Sequence, residues 1–281
     1  MTTNPQPSAF ITTTQGLRLH YTDHPADGSE QGVVVFIHGS GPGASGWSNF
    51  KHNVGAFQTG GYRCIVYDQW GYGKTDKPTD IDHTLDFFIE GLLALLDALH
   101  ISDAILVGNS LGGAVALGTA LAHPDRVSRL ILMAPGGIES KEDYFAMEGI
   151  QTMVKHPMGS PDFTRDVLSN LLNLLVFNPE NIDEELVDER WETLQSQNAH
   201  VLATMAIPDL SPELARLQQP TLAFWGTEDK FCPPAGIWKI LEAGSSVQAE
   251  VLNRCGHWVM SEYPALFNRR CLDFLGANRI E

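Results

Sequence analysis

Gly108-Asn109-Ser110-Leu111-Gly112-Gly113 decides how this chain is read. The apolar run 104–107 before it has the character of a buried strand, and Ala114-Val115-Ala116-Leu117 after it reads as the start of a helix. A G-x-S-x-G sequence between strand and helix is a sharp turn that holds its serine in a strained backbone conformation. The flanking glycines remove Cβ atoms that would otherwise collide with the neighbouring strand and helix. The hydroxyl is left exposed at a helix N-terminus, where free N–H groups and the helix dipole favour developing negative charge. Such a serine is a candidate nucleophile.

Outward from this turn, residues 33–37, 63–67, 104–107, 130–133 and 222–225 are apolar runs without alternation, as expected of parallel strands covered on both faces. Residues 9–14 and 17–22 alternate and are joined by Gln15-Gly16, a hairpin suited to an antiparallel sheet edge. Between the runs lie helical patterns, the clearest placing Leu85, Phe88, Leu92, Leu95, Leu96 and Leu99 on one stripe. Alternating strands and helices predict a doubly wound α/β sheet. The alternation stops after Pro135-Gly136-Gly137 and resumes near Pro220. The interval has only helical periodicity and is acidic, with 15 Asp/Glu against 5 Lys/Arg over residues 139–216. It predicts a helical cap at 138–212 inserted into a core formed by 1–137 and 213–281, enclosing a pocket over the strand ends where α/β sheets bind ligands.

The chain has 281 residues, 43% of them hydrophobic, enough for one large core with a subdomain. A net charge of −16 is the reverse of a nucleic-acid binder's basic footprint. Cys64, Cys232, Cys255 and Cys271 form no C-x-x-C pair, so neither a zinc site nor a disulfide framework is expected. Residues 1–8 lack the charged and apolar regions of a signal peptide, and no apolar run reaches membrane-spanning length. A soluble, unexported protein of the reduced cytoplasm is the expectation.

A serine hydroxyl needs a base to take its proton, and the base needs an acid to orient it. Of ten histidines, only His257 follows a late strand-like run, 247–252, and its loop Asn253-Arg254-Cys255-Gly256. Asp229 follows the run 222–225 and the turn Gly226-Thr227, with Glu228 as its nearest rival. Pro233, four residues on, fits the start of the next helix and favours Asp229. The order Ser110, Asp229, His257, each after a strand, is that of an α/β-hydrolase. An oxyanion hole is also required. Its donors are expected to be the N–H of Leu111 and that of Ser40, within the loop His38-Gly39-Ser40-Gly41-Pro42-Gly43-Ala44. His38 is expected to brace this loop by hydrogen bonding.

The same loop formally matches G-x-G-x-x-A, with Asp68 ending the next strand, as in a dinucleotide-binding fold. Pro42 removes an N–H, the acid comes late, and the Ser-Asp-His order would go unexplained. Gly73-Lys74-Thr75 hints at a phosphate loop, but Asp68 stands where its first glycine is required. On the helix expected at 182–195, Leu186, Val187, Arg190 and Leu194 share a stripe, and Arg190 has no acidic residue three or four positions away. An inward arginine needs an anion: a substrate carboxylate, or else a tertiary salt bridge or a snorkelled position.

The loop 38–44 with Trp47-Ser48-Asn49, the turn 108–113, Arg190-Trp191 and Cys255-Gly256-His257-Trp258 together resemble the meta-cleavage-product hydrolases, α/β-hydrolases of bacterial aromatic catabolism. The resemblance covers most of the chain and is weakest in the cap. It implies the α/β-hydrolase fold, with a mostly parallel, doubly wound eight-stranded sheet. It further implies hydrolysis of the carbon–carbon bond of 2-hydroxy-6-oxohexa-2,4-dienoates by a Ser110, Asp229, His257 triad. Ser40 and Leu111 would be the oxyanion donors, with Gly39, Gly41, Asn49, Asn109, Arg190 and Trp258 lining the dienoate. Where many relatives carry glycine this chain has Ser40, a change that leaves a backbone donor intact while narrowing the pocket. No metal or organic cofactor is implied, the partner is the small dienoate, and the family suggests a homodimer or higher homo-oligomer. A carboxylesterase would share the machinery without needing Arg190, Asn49 and Asn109. A silent ligand-binding relative would normally lack part of the triad.

Overall fold

The computed structural model describes residues 8–244 and 246–277; the leader-free reading of 1–8 falls almost wholly outside them. Eight strands form one sheet: β1 (Ala9–Thr12), β2 (Arg18–His24), β3 (Val33–Ile37), β4 (Arg63–Tyr67), β5 (Ala104–Asn109), β6 (Val127–Met133), β7 (Thr221–Gly226) and β8 (Val247–Leu252). Their spatial order is β1-β2-β4-β3-β5-β6-β7-β8. The β1–β2 and β2–β4 pairs are antiparallel, and every later pair is parallel. The expected hairpin turns at Gly16, whose φ of 81° suits glycine.

The apolar runs behave as their composition demands. Every residue of β5 and β7 is buried, and alternate residues of β3 enter opposite cores, Val34 and Phe36 on one face and Val35 and Ile37 on the other. Helices α1 (Gly46–Phe50), α2 (Val54–Thr59), α3 (Leu85–Ala98) and α4 (Leu111–Ala122) follow the first strands. The apolar stripe predicted from Leu85 onward is α3, buried through Leu85, Phe88, Leu92, Leu95 and Leu96.

Between β6 and β7 lie helices α5 (Lys141–Ala146), α6 (Glu148–Lys155), α7 (Arg165–Asn173), α8 (Glu184–Leu194) and α9 (His200–Thr204), with no strand among the described residues. The expected boundary at Pro212 falls inside a 3-10 turn, Ser211–Arg216. Leu168, Leu171, Leu172, Leu186 and Val187 of α7 and α8 share one apolar cluster with Phe50 of α1 and with Trp258. Helices α10 (Gly236–Glu242), α11 (Val259–Glu262) and α12 (Pro264–Ala277) complete the chain. The helix expected to begin at Pro233 begins at Gly236, because residues 233–235 first form a turn in which the Gly236 N–H reaches the Pro233 carbonyl. No helix among the described residues is long and apolar enough to cross a membrane.

One feature of the order places the site. Strand β3 lies between β4 and β5, so the chain leaves β3 to one side and later returns to the other. A crevice opens at the carboxyl ends where the winding reverses. With Ile37 beside Gly108 in the parallel register, the loop after β3 and the turn after β5 emerge together there.

Candidate active site

Ser110 follows β5 directly and carries φ 55° and ψ −117°, a conformation that non-glycine residues rarely hold. Three backbone hydrogen bonds over-determine it: its N–H donates to the Met133 carbonyl at 3.0 Å, and its carbonyl accepts from Ala114 at 3.0 Å and Gly136 at 2.9 Å. Helix α4 begins immediately, at Leu111 rather than Ala114. The turn needs glycine at 112, where a Cβ would stand 2.0 Å from the Ile37 carbonyl oxygen. The Leu111 N–H belongs to the first helical turn, whose donors have no intrahelical acceptor. Gly39 lies against this turn: a Cβ on it would sit 3.2 Å from Ser110 Cβ. Among the described residues the Ser40 N–H donates to no protein atom.

The acid and the base meet as expected. His257 Nδ1 and Asp229 Oδ2 are 2.7 Å apart, with both side chains buried. Asp229 Oδ1 accepts from the N–H groups of Phe231 at 2.8 Å and Cys232 at 2.9 Å, which fixes the carboxylate's orientation. Glu228 points to solvent. Ser110 and His257 share no hydrogen bond among the described residues. The buried Cys232 thiol neighbours Ser110, and burial pushes its ionisation well above the ordinary range.

Arg190 projects from α8. Asp183 caps this helix through the Leu186 N–H, Glu184 and Glu185 favour its positive end, and Leu186, Val187, Arg190 and Leu194 form the buried stripe. Arg190 is 2% exposed. Nη1 donates to Ser48 Oγ at 3.2 Å and Asn49 Oδ1 at 3.3 Å, while Nε has no partner. No carboxylate forms an ion pair with it among the described residues, and loss of solvation lowers its pKa to about 10. Gly41 and Trp258 border the charge: Nη2 lies 3.7 Å from a Cβ position on Gly41, and the indole centroid is 5.4 Å from Cζ. Trp258 adjoins His257 in sequence, so the buried cation and the acid–base pair belong to one crevice.

Comparison with known proteins agrees with this geometry. The model of the Alpha/beta hydrolase family matches residues 34–270. The chain is 36% identical over 277 residues to a 2-hydroxy-6-oxononadienedioate/2-hydroxy-6-oxononatrienedioate hydrolase of Comamonas testosteroni, covering 95% of this chain and 96% of that one. Identity and coverage are the same for a 2-hydroxy-6-oxo-6-phenylhexa-2,4-dienoate hydrolase of Burkholderia cepacia. The chain belongs to the alpha/beta hydrolase family. Its relatives place it among the meta-cleavage-product hydrolases of that family. The solved meta-cleavage product hydrolase of Pseudomonas fluorescens IP01 superposes with a TM-score of 0.83 at 27% identity, covering 98% of this chain and 99% of that one.

Other expected residues of this hydrolase lie close by, with partners of their own. Asn109 is fully buried, and its amide donates to the carbonyls of Met133 at 3.2 Å and His257 at 3.3 Å, leaving Oδ1 unpartnered. It braces the strand end against the histidine loop. His38 also braces: Nδ1 faces the Gly39 carbonyl at 2.7 Å, Nε2 accepts the Gln69 N–H at 3.0 Å, and burial lowers its pKa to about 4. Asp68 is engaged within the protein rather than turned to a nucleotide ribose: buried, it accepts from Gly46 N–H, Lys74 N–H and His20 Nδ1 at 2.8, 2.9 and 2.8 Å. Sequence reading missed Ser48, Gln197 and Cys232. Gln197 Oε1 accepts from the Gly43 N–H at 2.7 Å and ties the inserted helices to the loop after β3. Ser48 was legible as the partner of Ser45 in an N-terminal capping box.

Proposed function

We propose that this chain hydrolyses the carbon–carbon bond of 2-hydroxy-6-oxohexa-2,4-dienoates, the ring-fission products of aromatic catabolism, as the names of its relatives describe for them. The observation that carries the reading is Arg190, a buried guanidinium with a free Nε and no carboxylate in ion-pair contact with it among the described residues. A buried charge without a counter-charge is costly, and a planar carboxylate fits the arginine fork. The dienoate supplies that anion, and a small neutral ester does not.

In this reading residues 138–212 are the cap and 1–137 with 213–281 the core, with Arg190 carried by the cap and the triad by the core. Arg190 and Asn49 hold the carboxylate, Asn109 offers its free Oδ1 to the 2-hydroxyl, and Trp258, Gly39 and Gly41 wall the chain of the substrate. The dienol is first converted to its keto tautomer by protonation at carbon 5. That step is necessary because an unstabilised carbanion would leave far too slowly. Ser110 then gives up its proton to His257 and attacks the carbon-6 carbonyl. The oxyanion is held by the N–H groups of Leu111 and Ser40. As the bond between carbons 5 and 6 breaks, its electron pair delocalises to the carbon-2 oxygen, which is protonated to give 2-hydroxypenta-2,4-dienoate. Water, deprotonated by His257, releases the acyl group from Ser110 as a carboxylic acid. Asp229 orients His257 and stabilises its imidazolium. The reading extends to a cytoplasmic homodimer or higher homo-oligomer.

The test is turnover of a panel of yellow ring-fission products bearing alkyl, phenyl or larger groups on carbon 6, followed by loss of visible absorbance. Failure on every member, with simple aryl esters turned over rapidly, would replace this reading with that of an esterase.

A further inference from the structure

The backbone on either side of His257 is pinned by groups outside the triad. The Gly256 N–H donates to Glu262 Oε2 at 2.5 Å, and the Trp258 N–H donates to the Leu175 carbonyl at 3.0 Å. Glycine is required at 256, where a Cβ would stand 2.7 Å from the Leu175 carbonyl oxygen. Glu262 ends α11, and its own N–H donates to the Trp258 carbonyl at 2.9 Å. Its carboxylate thus folds back along the turn and accepts from the peptide just before the histidine.

The other carboxylate oxygen faces the inserted helices. Oε1 accepts from the Asn178 N–H at 3.2 Å and from Asn181 Nδ2 at 3.3 Å, both in the segment that joins α7 to α8. An exposed glutamate keeps its oxygens on water, whereas these are engaged by three protein donors from two parts of the chain. The next residue repeats the clasp, since the Tyr263 hydroxyl donates at 3.0 Å to the carbonyl of Arg254, which holds φ 57° in the same loop. Such a conformation persists only where its surroundings over-determine it. Asp229 orients the imidazole at Nδ1, but that bond does not fix the main chain behind the ring. A base displaced by about 1 Å can lose on the order of a hundred-fold in rate.

We propose that Glu262 is a positioning residue for His257. Its carboxylate sets the place of the imidazole by holding the Gly256 peptide, and it ties that peptide to the segment leading into α8, the helix of Arg190. The base and the buried cation are kept at one spacing through this third side chain. The proposal rests on His257 as the base in the reading above, and not on the dienoate.

Glu262 borders an open groove with Phe177, Asn181, Arg254 and Tyr263, so shortening it seals no cavity into the protein. Glu262→Ala should lower kcat roughly ten- to a hundred-fold on a dienoate and on an aryl ester alike, with KM within about two-fold, because the base serves both reactions. Glu262→Gln keeps one carbonyl oxygen for the Gly256 N–H and should recover most of the loss. The deciding measurement combines Glu262→Ala with His257→Gln. A residue that acts only through the imidazole costs nothing further once the imidazole is gone, whereas a prop for the fold costs the same again. Should the alanine variant not fold, Glu262→Asp, one methylene too short to reach Gly256, carries the same expectations. An unchanged kcat in Glu262→Ala would overturn the proposal, as would an undiminished loss in the His257→Gln background or a glutamine variant no better than alanine. If His257→Gln by itself leaves turnover intact, the base and its positioning residue fall together; if it abolishes turnover while Glu262→Ala does not lower kcat, only the glutamate assignment falls.

Discussion

Replacing Arg190 by glutamine separates a carbon–carbon hydrolase of acidic substrates from a general esterase. In the free protein Nη1 is engaged with Ser48 and Asn49, while Nε is unpartnered and Nη2 faces Gly41. Nε and Nη2 form the side of the guanidinium that meets a carboxylate through two parallel bonds. Glutamine can offer one neutral donor in their place, a difference of about 2 to 4 kcal/mol once two charge-assisted bonds become one ordinary bond. That corresponds to roughly thirty- to a thousand-fold in kcat/KM for a dienoate. An aryl ester lacks the carboxylate, and its constant should move by only a few-fold. Stability should respond in the opposite sense to that of a structural arginine. A guanidinium pKa lowered by burial to about 10 marks a penalty on the order of 3 kcal/mol for holding the charge inside at neutral pH. Relief of that penalty offsets the lost contacts to Ser48 and Asn49, so the thermal midpoint should stay level or rise. Both substrates and the midpoint are to be measured on one preparation. Equal losses on acid and ester, accompanied by a lower midpoint, would refute the carboxylate clamp and leave the substrate class open.

Ser110→Ala should fold and bind a dienoate while hydrolysis falls by several orders of magnitude; near-normal turnover would remove Ser110 from the mechanism. Ser110→Gly should be equally inactive yet about 1 kcal/mol more stable than the alanine variant in urea unfolding, since glycine holds φ 55° without strain. Asp229→Asn should cut kcat by about four orders of magnitude through misorientation of His257, whereas exposed Glu228→Gln should leave it within about two-fold. His38 has a folded-state pKa lowered by burial to about 4 from the ordinary 6.5, so the unfolded chain binds its proton first as pH falls. Its contribution is complete above the unfolded value and disappears as pH drops through the folded one. Urea midpoints at about pH 8 and about pH 5 should therefore differ less for His38→Gln than for the parent, and an unchanged difference would count against the assignment.

The strands were legible because each is a short run of locally strand-like composition: 63–67 and 247–252 are β4 and β8 residue for residue. The inward stripe of α8 was equally local, a matter of spacing along one helix. The elbow at Ser110 was readable because glycine at 112 is imposed by a close approach that any sharp strand-to-helix turn requires. Asp229 was distinguishable from Glu228 only weakly from sequence, since neighbours in a loop differ by a rotation of the backbone. In the fold, the N–H groups of Phe231 and Cys232 converge on Asp229 alone.

What the sequence by itself determined was therefore periodicity, the chain order of serine, acid and histidine, and the turns that glycine permits. Only the tertiary structure decided which polar groups remain unsatisfied. Arg190 meets Ser48 across 142 positions of chain, and Asn109 spends its amide on the His257 carbonyl across 148. Gln197 accepts from the Gly43 N–H across 154. Such pairings have no local signature, because a hydrogen bond is decided by a few tenths of an ångström between groups that packing brings together. The chemistry of this crevice resides in what its side chains lack, and a missing partner becomes defined only once every other residue has taken its place.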